Sequence, residues 1–187
     1  MKALLLLLGV LAATASVTSA SAAETRASSA GEIRFTARYE GQALEGVFRN
    51  FRVEMPVGPA AGEPLALRVS VMTGSADMND VDVNAELKTP TFFDVASHPE
   101  AVFSSDTIEQ MPDGGYTASG TITVKGVAHP LTVPFRLRTT GAGRELSGEV
   151  SVSRLAWRIG LGEWAQTDLI ADDVEVRFRI ELPGATP

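Results

Sequence analysis

His98 and His129 are the only imidazoles in the chain, and each stands directly before a proline. A residue before proline is biased to extended or turn backbone. Neither histidine has a second ligand at metal-site spacing, so both read as turn residues. The acids fall into two groups. Asp168, Asp172, Asp173 and Glu175 gather near the C-terminus, and the run Asp77-Met78-Asn79-Asp80-Val81-Asp82 superficially suggests a calcium loop. That run lacks the glycine and the terminal bidentate glutamate such a loop needs. Solvated acids near loops and a helix start account for both groups. There is no cysteine, which removes thiol catalysis and thiolate-held metals. No G-x-S-x-G elbow, G-x-G-x-x-G turn or phosphate-binding Walker loop occurs. Without a visible nucleophile, base and orienting group, the chain reads as a non-enzyme with no resident cofactor or metal. A histidine-dependent hydrolase or isomerase is the catalytic alternative.

The remaining groups with binding potential are apolar. Eight Phe and two Trp are spread along the chain. By default they are core, but a site for an apolar ligand is built from the same residue types.

Period-2 alternation dominates the elements that must carry these side chains. Ile33, Phe35, Ala37 and Tyr39 share one face of 32–39, and Leu65, Leu67, Val69 and Val71 one face of 65–71. The pattern recurs over 116–124, 131–138, 145–154 and 174–182. Such alternation marks antiparallel strands with one wet face. Pro112-Asp113-Gly114-Gly115 and Gly141-Ala142-Gly143 read as hairpin loops, and 56–64 as a longer Pro/Gly loop. Asn79–Leu87 breaks the alternation and predicts a short helix, with Asn79 or Asp80 as N-cap and Pro90 as the stop. Several inward positions are small: Ala37, Ala118, Gly120 and Gly148. They either leave a void for a ligand or make room for a large ring from the opposite wall.

The N-terminus sets the expected compartment. Met1-Lys2, an apolar run around Leu4–Leu8 and the small-residue signal Ala20-Ser21-Ala22 predict a secretory leader over 1–22, too short to span a membrane. Residues 23–30 are expected as a flexible mature N-terminus, and 31–183 as one β domain. A formal charge of −7 disfavours binding to nucleic acid or an anionic surface through charge.

One stretch, 87–134, has a distinctive order. Phe92-Phe93-Asp94 is followed by His98-Pro99, by Phe103-Ser104-Ser105, by a Gly-rich hairpin, and by Lys125-Gly126-Val127 with Pro130-Leu131. Upstream are Phe35, Tyr39, Leu44-Glu45-Gly46-Val47-Phe48 and Phe51, and downstream Ser153-Arg154, Trp157, Ile159-Gly160, Gly162-Glu163-Trp164 and Thr167. Together these resemble the YceI family of bacterial periplasmic proteins, over about 31–182. The Gly162-Glu163-Trp164 segment resembles the branch linked to cytochrome b561-type membrane proteins. Trp157 departs from the pattern, standing where many members have Phe.

The resemblance implies a mainly β protein: a single antiparallel, lipocalin-like β-barrel with one short α-helix. It implies a periplasmic carrier for an isoprenoid quinone, polyprenyl or other long-chain lipid held in the lumen. The expected lumen residues are Phe35, Phe51, Val69, Val71, Phe93, Phe103, Ile122, Phe135, Trp157 and Phe178. Arg49, Lys88 and Lys125 are cations near loops that could meet a phosphate head group. The alternative partner is a membrane b-type cytochrome or quinone redox system, with the barrel as its accessory module. No oligomeric state is implied.

Overall fold

The computed structural model describes residues 24–58, 63–141 and 143–184; the leader expected over 1–22 lies outside them. The described chain is one antiparallel sheet that curls on itself. Its strands are β1 (Glu24–Ser28), β2 (Gly31–Tyr39), β3 (Gln42–Phe48), β4 (Phe51–Val57), β5 (Arg68–Met72), β6 (Ala76–Asp77), β7 (Glu100–Gln110), β8 (Tyr116–Val124), β9 (Val127–Thr140), β10 (Gly143–Ser153) and β11 (Asp173–Pro183). The spatial order is β1-β4-β5-β7-β8-β9-β10-β11-β2-β3-β6. The expected mainly β, barrel-like architecture with one short helix is the one observed.

Curling brings edge strand β1 back to β11. Arg26 Nη1 of β1 donates to the Pro183 carbonyl at 3.1 Å, and beyond β1 the Glu181 N–H donates to the Ala30 carbonyl at 3.0 Å, continuing the β2–β11 ladder. Covering an edge in this way removes a row of free backbone groups that invites aggregation. Residues 23–30 had been expected to be flexible. Instead Glu24–Ser28 pairs in register with Val53–Val57. Its sequence, ETRAS, carries no alternation, because backbone hydrogen bonds to β4 rather than an apolar face place it.

The hairpins follow their turn chemistry. Lys125 (φ 50°) and Gly126 (φ 72°) occupy the left-handed region between β8 and β9, as a two-residue hairpin matched to strand twist requires. In the β7–β8 hairpin, Asp113 accepts from Gly115 N–H at 3.0 Å, and the register shifts between Ser105 and Thr107. Gly120 stands opposite Ser105 at that irregularity, and a Cβ there would collide with the Ser104 carbonyl. Gly120 therefore accommodates a neighbouring backbone and leaves no void. Gly148 makes room for the Phe178 ring.

Helix α1 (Val81–Glu86) is capped by Asp80, whose carboxylate accepts from Asp82 and Val83 N–H at 2.9 and 3.1 Å. Such a cap stabilises a helix by about 1 kcal/mol. Asn84 ties the helix to the sheet: its Oδ1 accepts from Met78 N–H at 2.8 Å and its Nδ2 donates to Asp77 at 3.0 Å. No residue of α1 is fully buried.

One end of the sheet is solid. Met55, Val57 and Leu182 lie within it, and Val53, Leu67, Leu146 and Ile180 form its boundary with the hollow part of the sheet; all seven are at most 2% exposed, each stabilising the fold by roughly 1.5–3 kcal/mol through burial. Leu65 had been read as inward with Leu67. It is instead 53% exposed, because β5 starts only at Arg68 and Leu65 N–H bonds back to the Pro56 carbonyl.

Candidate ligand-binding site

Above this core the inner faces separate and enclose a cavity of about 490 Å³, within the range of small-molecule sites. The strands supply its walls. The helix–β7 connection (87–99) and the β10–β11 connection (154–172) build its upper end. Phe35, Val69, Val71, Phe93, Phe103, Ile122, Trp157 and Phe178, eight of the ten side chains expected in a lumen, stand on this wall.

Phe51 and Phe135 do not. Both lie within the solid core, at 5% and 3% exposure, and Phe135 stacks on Tyr116 with ring centroids 5.4 Å apart. Alternation places a residue inside or outside the sheet, but not at the filled or the hollow end. Several wall residues escaped the sequence reading: Leu44, Phe48, Val83, Leu87, Phe92 and Trp164 among them. Most lie on loops, the helix or a strand end, where period 2 does not apply. The rings form a band, Phe35 to Phe48 at 5.0 Å, Phe48 to Phe93 at 6.0 Å, and Phe92 to Trp164 at 6.2 Å.

The upper loops are organised by Arg154, a residue that alternation alone classes as an ordinary strand-end cation. It is 4% exposed. Its Nε donates to the Ala171 carbonyl at 3.0 Å. Nη1 donates to Ile159 and Gly160, each at 2.8 Å. Nη2 donates to Trp164 at 2.7 Å and Ile170 at 2.8 Å. All five guanidinium N–H groups are thus satisfied by backbone. Burial pulls its pKa below the usual arginine value, and Asp172 opposes that effect. Asp172 in turn accepts from Ser153 Oγ and Leu155 N–H, each at 2.9 Å. Arg154 lines the cavity but has no donor left for a ligand.

The two upper loops also bond to each other, with Gly160 N–H donating to the Thr91 carbonyl at 2.8 Å. Lys125 binds both: its Nζ donates to Pro90 O at 2.6 Å and Arg158 O at 3.0 Å. Burial lowers its pKa. Of the cations considered for a phosphate, Lys125 is therefore occupied, and Arg49 is paired with Asp77 at 2.9 Å. Lys88 is exposed on the surface and is not on the cavity wall.

The histidines do not meet. His98 faces Asp94 at 4.0 Å and packs over Gly126. His129 Nε2 lies 3.0 Å from the Ala156 carbonyl, and its ring stands edge-on to Trp157. Neither is on the cavity wall. Among the described residues no three metal-ligating side chains gather, so the acid groups at 77–82 and 168–175 assemble no such cluster. Trp164, whose segment suggested a redox accessory, packs inward on Phe92 and lines the cavity.

The sequence profile of the YceI-like domain matches residues 22–182. The chain belongs to the YceI family. A UPF0312 protein of Yersinia enterocolitica is 30% identical over 163 residues, covering 79% of this chain and 83% of that one. A UPF0312 protein of Azotobacter vinelandii is 26% identical over 102 residues; there the match spans about half of each chain, 54% and 52%. Among solved structures, Burkholderia cenocepacia BcnA superposes with a TM-score of 0.75 at 26% identity, over 80% of this chain and 94% of that one. A Saccharophagus degradans domain described as polyisoprenoid-binding superposes with a TM-score of 0.64 at 11% identity, over 88% and 100% of the two chains. At that identity the likeness is one of fold.

Proposed function

We propose that this YceI-family chain binds the hydrocarbon tail of a long-chain lipid, an isoprenoid quinone or polyprenyl lipid, in its lumen and serves as a carrier. One observation bears most of the weight: the cavity wall is almost wholly hydrocarbon, and the one cation buried in it, Arg154, is fully used by backbone carbonyls. Apolar surface removed from water yields about 25 cal/mol per Å², so a flexible apolar tail gains from such a wall without polar contacts. The description of the Saccharophagus domain supports the same reading.

A binding role rather than a catalytic one is supported by the chemistry of the wall. Its ionisable side chains are Arg38, Glu86, Arg154 and the phenol of Tyr39, and both histidines lie elsewhere. The leader expected over 1–22 supports work in the periplasm, which fractionation of cells expressing the full chain tests. For binding, Trp157 and Trp164 provide an intrinsic probe. Titrating delipidated protein with a prenyl quinone or a polyprenol should shift tryptophan emission saturably. Absence of any saturable change, with no lipid bound by an independent filtration assay, would count against the proposal.

A further inference from the structure

Along β2 and β3 the inward face is continuous, but its cover is not. Register puts Phe35 opposite Gly46 and Ala37 opposite Leu44, so alternation sets Tyr39 and Leu44 on the same inward side as Ile33 and Phe35. Ile33 and Phe35 are 5% and 7% exposed, whereas Tyr39 and Leu44 are 37% and 40% exposed. Val83 of helix α1 is 37% exposed as well. Among the described residues these three are the large apolar side chains that both line the cavity and reach solvent. They mark an opening in the lumen wall between β3 and α1.

Hydrogen bonding treats this seam differently from the upper loops. β6 pairs with β3 only at Val47 and Phe48, so Gln42–Gly46 has no strand on its outer side among the described residues. On that side β6 runs on into α1. The helix bonds back to the β6 segment, through Asn84 to Met78 and Asp77, and five of its six residues are exposed. No hydrogen bond joins it to Gln42–Gly46 among the described residues. The upper loops, by contrast, are tied to each other by Gly160 N–H on the Thr91 carbonyl and by Lys125 on Pro90 and Arg158. The β2–β3 hairpin is tied to the β10–β11 connection by Glu40 N–H on the Leu169 carbonyl, at 2.8 Å. Parting β3 from α1 therefore breaks no hydrogen bond, and segments with few buried contacts are the ones that open at least cost.

We infer that the ligand enters and leaves sideways, through the seam between the free edge of β3 and helix α1, past Tyr39, Leu44 and Val83. The inference rests on the lumen reading above and adds the route to it.

The chain has no cysteine, so a single introduced thiol is unique. Leu44→Cys, Val83→Cys and Leu161→Cys are each coupled to a polyethylene glycol maleimide; Leu161 is an exposed upper-loop residue that is not on the cavity wall. Uptake and release of farnesol by the mature protein are followed by stopped-flow tryptophan emission. Coupling at 44 or 83 should slow both rates about tenfold or more and leave the equilibrium affinity within about twofold, because an obstructed passage hinders entry and exit alike. Coupling at 161 should change neither rate by more than about twofold. Unchanged rates at 44 and 83 overturn the inference, as does equal slowing at all three sites. If the uncoupled wild type takes up no farnesol, the lumen reading itself fails and the route with it.

Discussion

Arg154 Nη1 donates to the carbonyl of Gly160 at 2.8 Å, and a Cβ added to Gly160 would stand 2.7 Å from that same nitrogen. Gly160 also holds a left-handed backbone, φ 67°. Gly160→Ala therefore meets a steric and a conformational penalty together, and should destabilise the protein by about 1–3 kcal/mol. Arg154→Lys keeps the charge but offers three donors for five carbonyls. Stranding two buried acceptors should cost about 2–5 kcal/mol. Urea unfolding followed by tryptophan emission measures both. Wild-type midpoints in either variant would contradict the assigned role.

Filling the lumen should separate binding from folding. Val69→Phe adds a ring to an existing cavity, so the variant should unfold within a few degrees of wild type while losing at least about tenfold in lipid uptake. Phe135→Ala should do the reverse, losing about 3–5 kcal/mol of stability with lumen affinity nearly intact. A Val69→Phe protein that takes up lipid normally would place the ligand elsewhere.

Asp77 links the sheet to helix α1. Its pKa is lowered to about 2 by the Asn79 backbone N–H, then by the Asn84 side chain and by Arg49. The folded value lies below the ordinary 3.8. The stabilisation is therefore complete above the unfolded value and is lost as pH falls from about 4 through about 2. Asp77→Asn should flatten the pH dependence of the unfolding midpoint between pH 5 and 2 relative to wild type. Other depressed carboxylates, such as Glu149 and Asp113, contribute to both proteins, so the difference between the two curves is the readout. Parallel curves would contradict the assignment.

Lys125 bonds the β8–β9 turn to both upper loops. Lys125→Asn keeps a residue that tolerates positive φ but is too short to make those bonds. Amide exchange at Gly160, whose N–H is held by the Thr91 carbonyl, should accelerate by about an order of magnitude or more while exchange in β8 and β9 stays slow. Unchanged protection at Gly160 would show that Lys125 does not hold the loops together.

Much of the architecture is legible in the chain, because one wet and one apolar face leave a period of two in β2, β8, β9, β10 and β11. The helix is legible through Asp80 and the break in alternation. β1 is not, since backbone pairing alone places it. Leu65 continues the pattern of β5 for one step too many, beyond the strand's hydrogen bonds. The site is legible in part. Alternation assigns Phe35 and Phe135 alike to the interior, but only the three-dimensional course of the strands puts one beside a hollow and the other in solid core. Arg154 is hidden for a different reason: its partners are carbonyls 5 to 17 residues away, and carbonyls leave no side-chain signature.

The central claim is that the lumen carries a lipid. Native mass spectrometry of the protein purified from its own host, followed by solvent extraction, tests it most directly. The account predicts a complex heavier than the mature chain by the mass of one long-chain lipid, which extraction releases and which rebinds to delipidated protein. A ligand-free mass, together with no uptake when the delipidated protein is offered prenyl quinones, polyprenols and long-chain acids, would contradict it.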